Sequence, residues 1–168
     1  MEGRWFLAPN TALIGTGVSV FSVSTRYWTR TRIGYAGLWK GCIAVGSEWR
    51  CADTHWPNAD PWIPAVKGLA LLSIVLTVVA MAFAAMAYFK ESYVWTRWAT
   101  AIIILQEITL ACGLFTFLGY IINNGNRQDL SWSYFFGWVS VGFYAVAAIF
   151  FSIQAKKLRM RSVYQNIN

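Results

Sequence analysis

The sequence predicts an all-α membrane fold: a four-helix transmembrane bundle carrying a small β-sheet outside the bilayer. Three observations predict it. Of the 168 residues, 57% are hydrophobic and 12% are charged. A soluble domain carries about 25% charged residues, so this chain has too few to coat a surface in water. Four stretches are apolar over about 20 residues, the length that crosses a hydrocarbon core ~30 Å thick. Finally, ten Trp and eight Tyr supply amphipathic rings suited to the membrane–water boundary. The same composition excludes a disordered chain, which is poor in apolar and aromatic residues, and argues against a soluble enzyme. The net charge of +7 reads as a topology signal and as contact with lipid rather than nucleic acid.

The first predicted span, 5–25, is uncharged but interrupted by Pro9, Asn10, Thr11 and Thr16. It lacks the basic start, clean apolar core and small-residue cleavage site of a signal peptide. The second span, 68–89, has no charge, and the third, 99–122, has one, Glu107. The fourth, 133–155, ends beside Gln154. Between them lie a long outer loop at 26–67, a turn at 90–98 and a second outer loop at 123–132. That second loop is built on Asn123-Asn124-Gly125-Asn126, a turn signal. A polar, basic tail follows at 156–168. The whole chain reads as one domain.

An even number of spans puts both termini on one side. The terminal side carries Arg4, Lys90, Arg97, Lys156, Lys157, Arg159 and Arg161; the other side carries Arg26, Arg30, Arg32, Lys40, Arg50, Lys67 and Arg127. The counts are equal, so the positive-inside rule leaves orientation open.

The long loop holds Cys42 and Cys51 and five Trp: Trp28, Trp39, Trp49, Trp56 and Trp62. In an oxidising compartment the two cysteines close a short ring; in the cytosol they are two free thiols. The stretches 31–35 and 40–45 have strand-like content. Pro57, Pro61 and Pro64 predict a stiff descent into the second span. Cys112, inside the third span, reads as a buried inert thiol. Two cysteines and the lone His55 fall short of a zinc site, and no catalytic constellation, metal site or cofactor motif is present in the sequence.

Here the chain resembles a known family. Gly37-Leu38-Trp39 followed by Cys42 and Cys51 matches the G-L-W-x-x-C…C pattern of the claudin superfamily. Trp28 matches its leading Trp, and Lys67 stands where relatives often carry a basic residue before the second span. The segment Ser131-Trp132-Ser133-Tyr134-Phe135-Phe136-Gly137-Trp138-Val139 is similar to the start of the fourth span in the lens intrinsic and claudin domain-containing branches. The short distance from Trp28 to Gly37 places the chain nearest the branch of peripheral myelin, epithelial membrane and lens intrinsic proteins. The resemblance implies a Cys42–Cys51 disulfide outside the cell, cytoplasmic termini, a plasma-membrane location, and a structural or adhesive role at cell contacts. Some branches are instead auxiliary subunits of channels or receptors. The polar end, Asn168, lacks the apolar last residue that PDZ domains take, so a PDZ scaffold is not expected.

Several residues have both a plain and a functional reading. Glu107 is a carboxyl at membrane depth, where a charge costs about 2.5–3.5 kcal/mol on insertion scales. It is either a protonated or hydrogen-bonded carboxyl facing Asn10, Thr11, Thr16 or Tyr144 inside the bundle, or an ion- or proton-sensitive site or polar contact with a partner helix. Trp49, Trp56 and Trp62, with Arg30 and Arg32, are candidates for contact with lipid or a partner. Lys156, Lys157, Arg159 and Arg161 form a juxtamembrane cluster suited to anionic lipid of the inner leaflet. A homo-oligomer or another membrane protein is the expected partner.

Overall fold

The computed structural model describes residues 7–54, 62–123 and 129–167. Four helices run α1 Leu7–Ser24, α2 Trp62–Lys90, α3 Tyr93–Asn123 and α4 Trp132–Ile167. Strands β1 Thr29–Thr31, β2 Gly34–Ala36, β3 Lys40–Val45 and β4 Glu48–Asp53 follow α1, and β5 Asp129–Leu130 precedes α4. All five strands therefore lie at one end of the bundle, opposite the α2–α3 turn.

Helices α2, α3 and α4 are long and apolar enough to cross a membrane. The first helix is not among them. It has 18 described residues, and Asn10, Thr11, Thr16 and three Ser dilute its apolar content. It packs lengthwise on α4, where a Cβ on Gly15 would meet the Phe143 Cβ at 3.1 Å.

The interior is rich in small and hydroxyl side chains beside a few large ones such as Ile103, Leu114 and Tyr144. Small and hydroxyl side chains point inward: Ala12, Ala80, Ala99 and Ala147 are fully buried, and so are Ser19, Ser73 and Ser140. Large aliphatics such as Val78, Leu105, Ile108 and Ile149 point outward. Small residues let helix backbones approach closely, and outward Leu, Ile and Val suit a lipid surround. The inward hydroxyls are largely spent within the bundle. Tyr144 donates to Thr16 at 3.2 Å and lies 3.3 Å from the Thr77 hydroxyl.

The sheet order is β4-β3-β2-β1-β5, with every pairing antiparallel. The strand expected at 40–45 is β3 with those bounds. The stretch 31–35 is instead the turn and flanks of the β1–β2 hairpin. Gly46, at φ +65°, makes the tight β3–β4 turn, a conformation that L side chains resist.

Other boundaries also move. The second helix begins at Trp62 rather than 68, because Pro64 in a first turn needs no hydrogen-bonded N–H. The turn expected at 90–98 shrinks to Glu91 and Ser92, with Glu91 in the left-handed conformation (φ 44°) that ends many helices. The segment 156–167, expected as a tail, continues α4. At about 1.5 Å per residue its 36 residues span roughly 54 Å, so α4 outruns a ~30 Å core. The second outer loop supplies β5 and adds a fifth strand to the sheet. Cys112 is exposed on the helix surface, not buried.

Candidate interaction surface

The sheet is seated on the bundle by the last turn of α1. A helix C-terminus leaves carbonyls without intrahelical partners. Here indoles fill that role. Trp28 Nε1 donates to the Ser22 carbonyl at 2.7 Å, and Trp39 Nε1 donates to the Val23 carbonyl at 3.0 Å. Trp28 is 2% exposed and stands edge-on to Phe117 at 4.9 Å and to Tyr134 at 5.9 Å. Both tryptophans are thus structural, and Leu38 is buried in the same core cluster.

Gly37 has a steric reason. A Cβ there would collide with the Thr25 carbonyl and the Arg26 backbone, so only glycine lets the sheet approach the end of α1. Lys67, expected in the loop, lies in α2 with its Nζ 5.4 Å from the centre of the Trp39 ring. That cation–π contact fixes the far side of the seat.

α4 is stitched to the same point. Ser22 Oγ donates to the Ser133 carbonyl at 2.7 Å, and Ser133 Oγ donates to the Ser22 carbonyl at 2.9 Å. The Ser131 N–H reaches the Trp28 carbonyl at 2.9 Å. Nothing in the residue types alone pointed to the Ser22–Ser133 pair; serines at the ends of two spans carry no pairing signal.

Cys42 and Cys51 form a disulfide across β3 and β4, where they are direct register partners with Cα atoms 4.0 Å apart. The staple closes the hairpin that presents β4. Every residue of β4 is exposed, and β4 is an edge strand. Trp49 stands on it 59% exposed. Arg30 and Arg32 are exposed on and beside β1. Trp62 is half-exposed at the start of α2 and lines an apolar cavity with Leu38, Val66 and Phe117. Trp56 and His55 lie outside the described residues, as do Arg4, Arg127 and the first two residues of the expected span 5–25.

Glu107 does not take the interior position. Its neighbour Gln106 does, at 1% exposed, with neither amide atom hydrogen-bonded. Thr16 and Tyr144 bond each other instead of the carboxyl. Glu107 is half-buried on α3 beside the exposed Ile108. Lys156, Lys157, Arg159 and Arg161 are exposed on the last turns of α4, while Leu158 between them is buried. Among the described residues no group of three His, Cys, Asp or Glu could hold a metal.

Apolar-out helices carrying a stapled sheet at one end define a multi-pass membrane protein with a small sheet built from its loops. The particular family follows from comparison: residues 6–151 match the PMP-22/EMP/MP20/Claudin family, and the chain belongs to it. It is similar to the claudin domain-containing protein 2 of Mus musculus, 26% identical over 141 residues that cover 83% of this chain and 79% of that protein. The Homo sapiens protein of the same name is 28% identical over 144 residues, covering 83% and 80%.

Proposed function

We propose that this chain is a non-enzymatic four-span protein of the plasma membrane, with both termini cytoplasmic, that organises contacts between cells or membranes through its outer sheet. The observation that carries this reading is the rigid seat. Two indole caps, a disulfide and the Ser22–Ser133 stitch hold the sheet at a fixed pose on the bundle, with the β4 edge and Trp49 turned outward. A floppy loop would spend binding energy on ordering; a fixed sheet does not. The disulfide supports a sheet outside the cytosol, because cytosolic thiols stay reduced. α1 then serves as the fourth span beside α4, and the basic end of α4 meets the inner leaflet.

The test is aggregation of otherwise non-adhesive cells expressing the chain. Aggregation is expected, and it is expected to fall when β4 is altered at Trp49→Ser. Expression at the surface without aggregation contradicts the adhesive role.

A second reading, an auxiliary subunit bound laterally to a channel or receptor, draws on Glu107. A carboxyl half-exposed at membrane depth is costly unless a neighbour satisfies it. Native mass after mild-detergent purification separates the two. A homo-oligomer supports the first reading, and a stoichiometric channel or receptor supports the second.

A further inference from the structure

At the end of the bundle away from the sheet, α1 and α2 touch only sparsely. A cavity of about 210 Å³ opens there, walled by Pro9 of α1, Met81, Ala84 and Ala85 of α2, and Phe151 and Gln154 of α4. The sequence makes the space. α2 runs Ala84-Ala85-Met86-Ala87 at this level, and alanines leave the gap between helices unfilled. Ala85 is exposed while Ala84 and Phe151 are buried, so the cavity runs from the helix surface into the bundle. None of its lining residues is charged. Its volume exceeds the roughly 150 Å³ of an apolar cavity that stays dry and takes up benzene. Beside hydrocarbon, such a space takes an apolar chain in preference to water.

Charge at the mouth decides which chain. Gln154 is followed on α4 by Lys157 and Arg161, at the i+3 and i+7 spacings that share one helix face. Both are exposed. Lys90 ends α2 directly after Phe89, which also lines the cavity, and its Nζ stands 5.6 Å from the centre of the Trp95 ring. Against these cations stands Glu91 in the α2–α3 turn, the one acidic residue described at this end. An apolar slot beneath basic side chains fits a molecule with an apolar tail and an anionic head. A soluble protein reaches the cations but not the slot. A neighbouring apolar helix fills the slot but leaves the cations unmatched.

We propose that the cavity between α1 and α2 is a binding site for a single anionic phospholipid, with its tail between the helices and its phosphate against Lys157 and Arg161. Its assignment to the inner leaflet rests on the orientation given above; the site itself does not.

Native mass spectra of the full chain, offered phosphatidylserine and phosphatidylcholine with the same tails, test it. Severalfold stronger retention of phosphatidylserine is expected. Ala85→Trp fills the slot from its exposed rim and is expected to cut that retention severalfold. Val78→Trp, on the same face of α2 two turns away and 65% exposed, is expected to leave it unchanged. Lys157→Gln with Arg161→Gln should bring phosphatidylserine down to the level of phosphatidylcholine. A second measurement needs no variant. Phosphatidylserine with a diazirine on its tail, reconstituted in vesicles with the unmutated chain, is expected to label Phe151, 3% exposed, as well as Ile149, 58% exposed. Labelling confined to Ile149 overturns the proposal. So does equal retention of the two lipids, or a loss of retention from the charge changes but not from Ala85→Trp, which means binding at the surface only. Purified protein gives these results whichever way the chain is oriented in cells. Their failure removes the lipid site and leaves the adhesive reading, and a failed aggregation assay leaves the lipid site.

Discussion

Trp28 and Trp39 each do two jobs, and the jobs separate by mutation. Each fills apolar space, and each donates an indole proton to a carbonyl at the end of α1. Trp28→Ala removes both and is expected to cost about 3–5 kcal/mol, the range for large-to-small changes in cores. Trp39→Phe keeps much of the ring and loses the donor, so about 1 kcal/mol is expected. Thermal unfolding of the detergent-purified protein measures both. Gly37→Ala should be far worse than Gly41→Ala. A Cβ at 37 meets the Thr25 and Arg26 backbone, whereas one at 41 meets only the Ala36 Cβ at an ordinary 3.5 Å. Equal effects would mean that the close approach at Gly37 is not what the motif protects. The spacing of Trp28, Gly37, Trp39, Cys42 and Cys51 was legible in the sequence, and the structure shows the physical reason for it. Their acceptors were not legible, because a backbone carbonyl on α1 leaves no mark in residue identity. Gln106 rather than Glu107 takes the interior position, because burial favours the uncharged neighbour.

Elements reveal which signals survive folding. Apolar runs mark all four helices, and α2, α3 and α4 extend past the charges and prolines that flank those runs. Lys67, Lys90 and Arg97 all lie within helices, because a long basic side chain can reach the interface or an aromatic face from inside a helix end. Strand β4 had no signal, since all six residues are exposed and no alternation exists to read. Strand β5 is two residues long, too short for any periodicity. The β3–β4 hairpin depends on its staple. Cys42→Ser with Cys51→Ser should lower stability by roughly 2–4 kcal/mol, read as a fall in midpoint temperature that reducing agent reproduces in the unmutated chain. The end of α4 carries its own prediction. Changing Lys156, Lys157, Arg159 and Arg161 to Gln should remove a preference for anionic lipid worth about 1 kcal/mol per residue. Native mass spectra of the protein offered anionic and zwitterionic lipid together report this, and unchanged retention would make the cluster a topology signal only.

At the scale of the whole molecule, hydropathy predicted a bundle and the loop motif predicted what sits on it. Orientation is beyond the reach of the charge count, because basic residues divide evenly between the two sides, and only the family resemblance implies it. The status of α1 is the hinge of the architecture. It is the one described helix that is not long and apolar enough to count as a span, yet its last turn carries both indole caps and the stitch to α4. If α1 spans, the seat stands at the outer surface and the sheet is presented to neighbouring membranes. If it does not, the chain termini fall on opposite sides. The most direct measurement is therefore an epitope scan on cells, with tags at the N-terminus, at the C-terminus and in the β3–β4 turn at Gly46. A four-span chain gives staining of the Gly46 tag on intact cells and of both terminal tags only after permeabilisation. An N-terminal tag that stains on intact cells while the C-terminal tag stays hidden would contradict the four-span architecture.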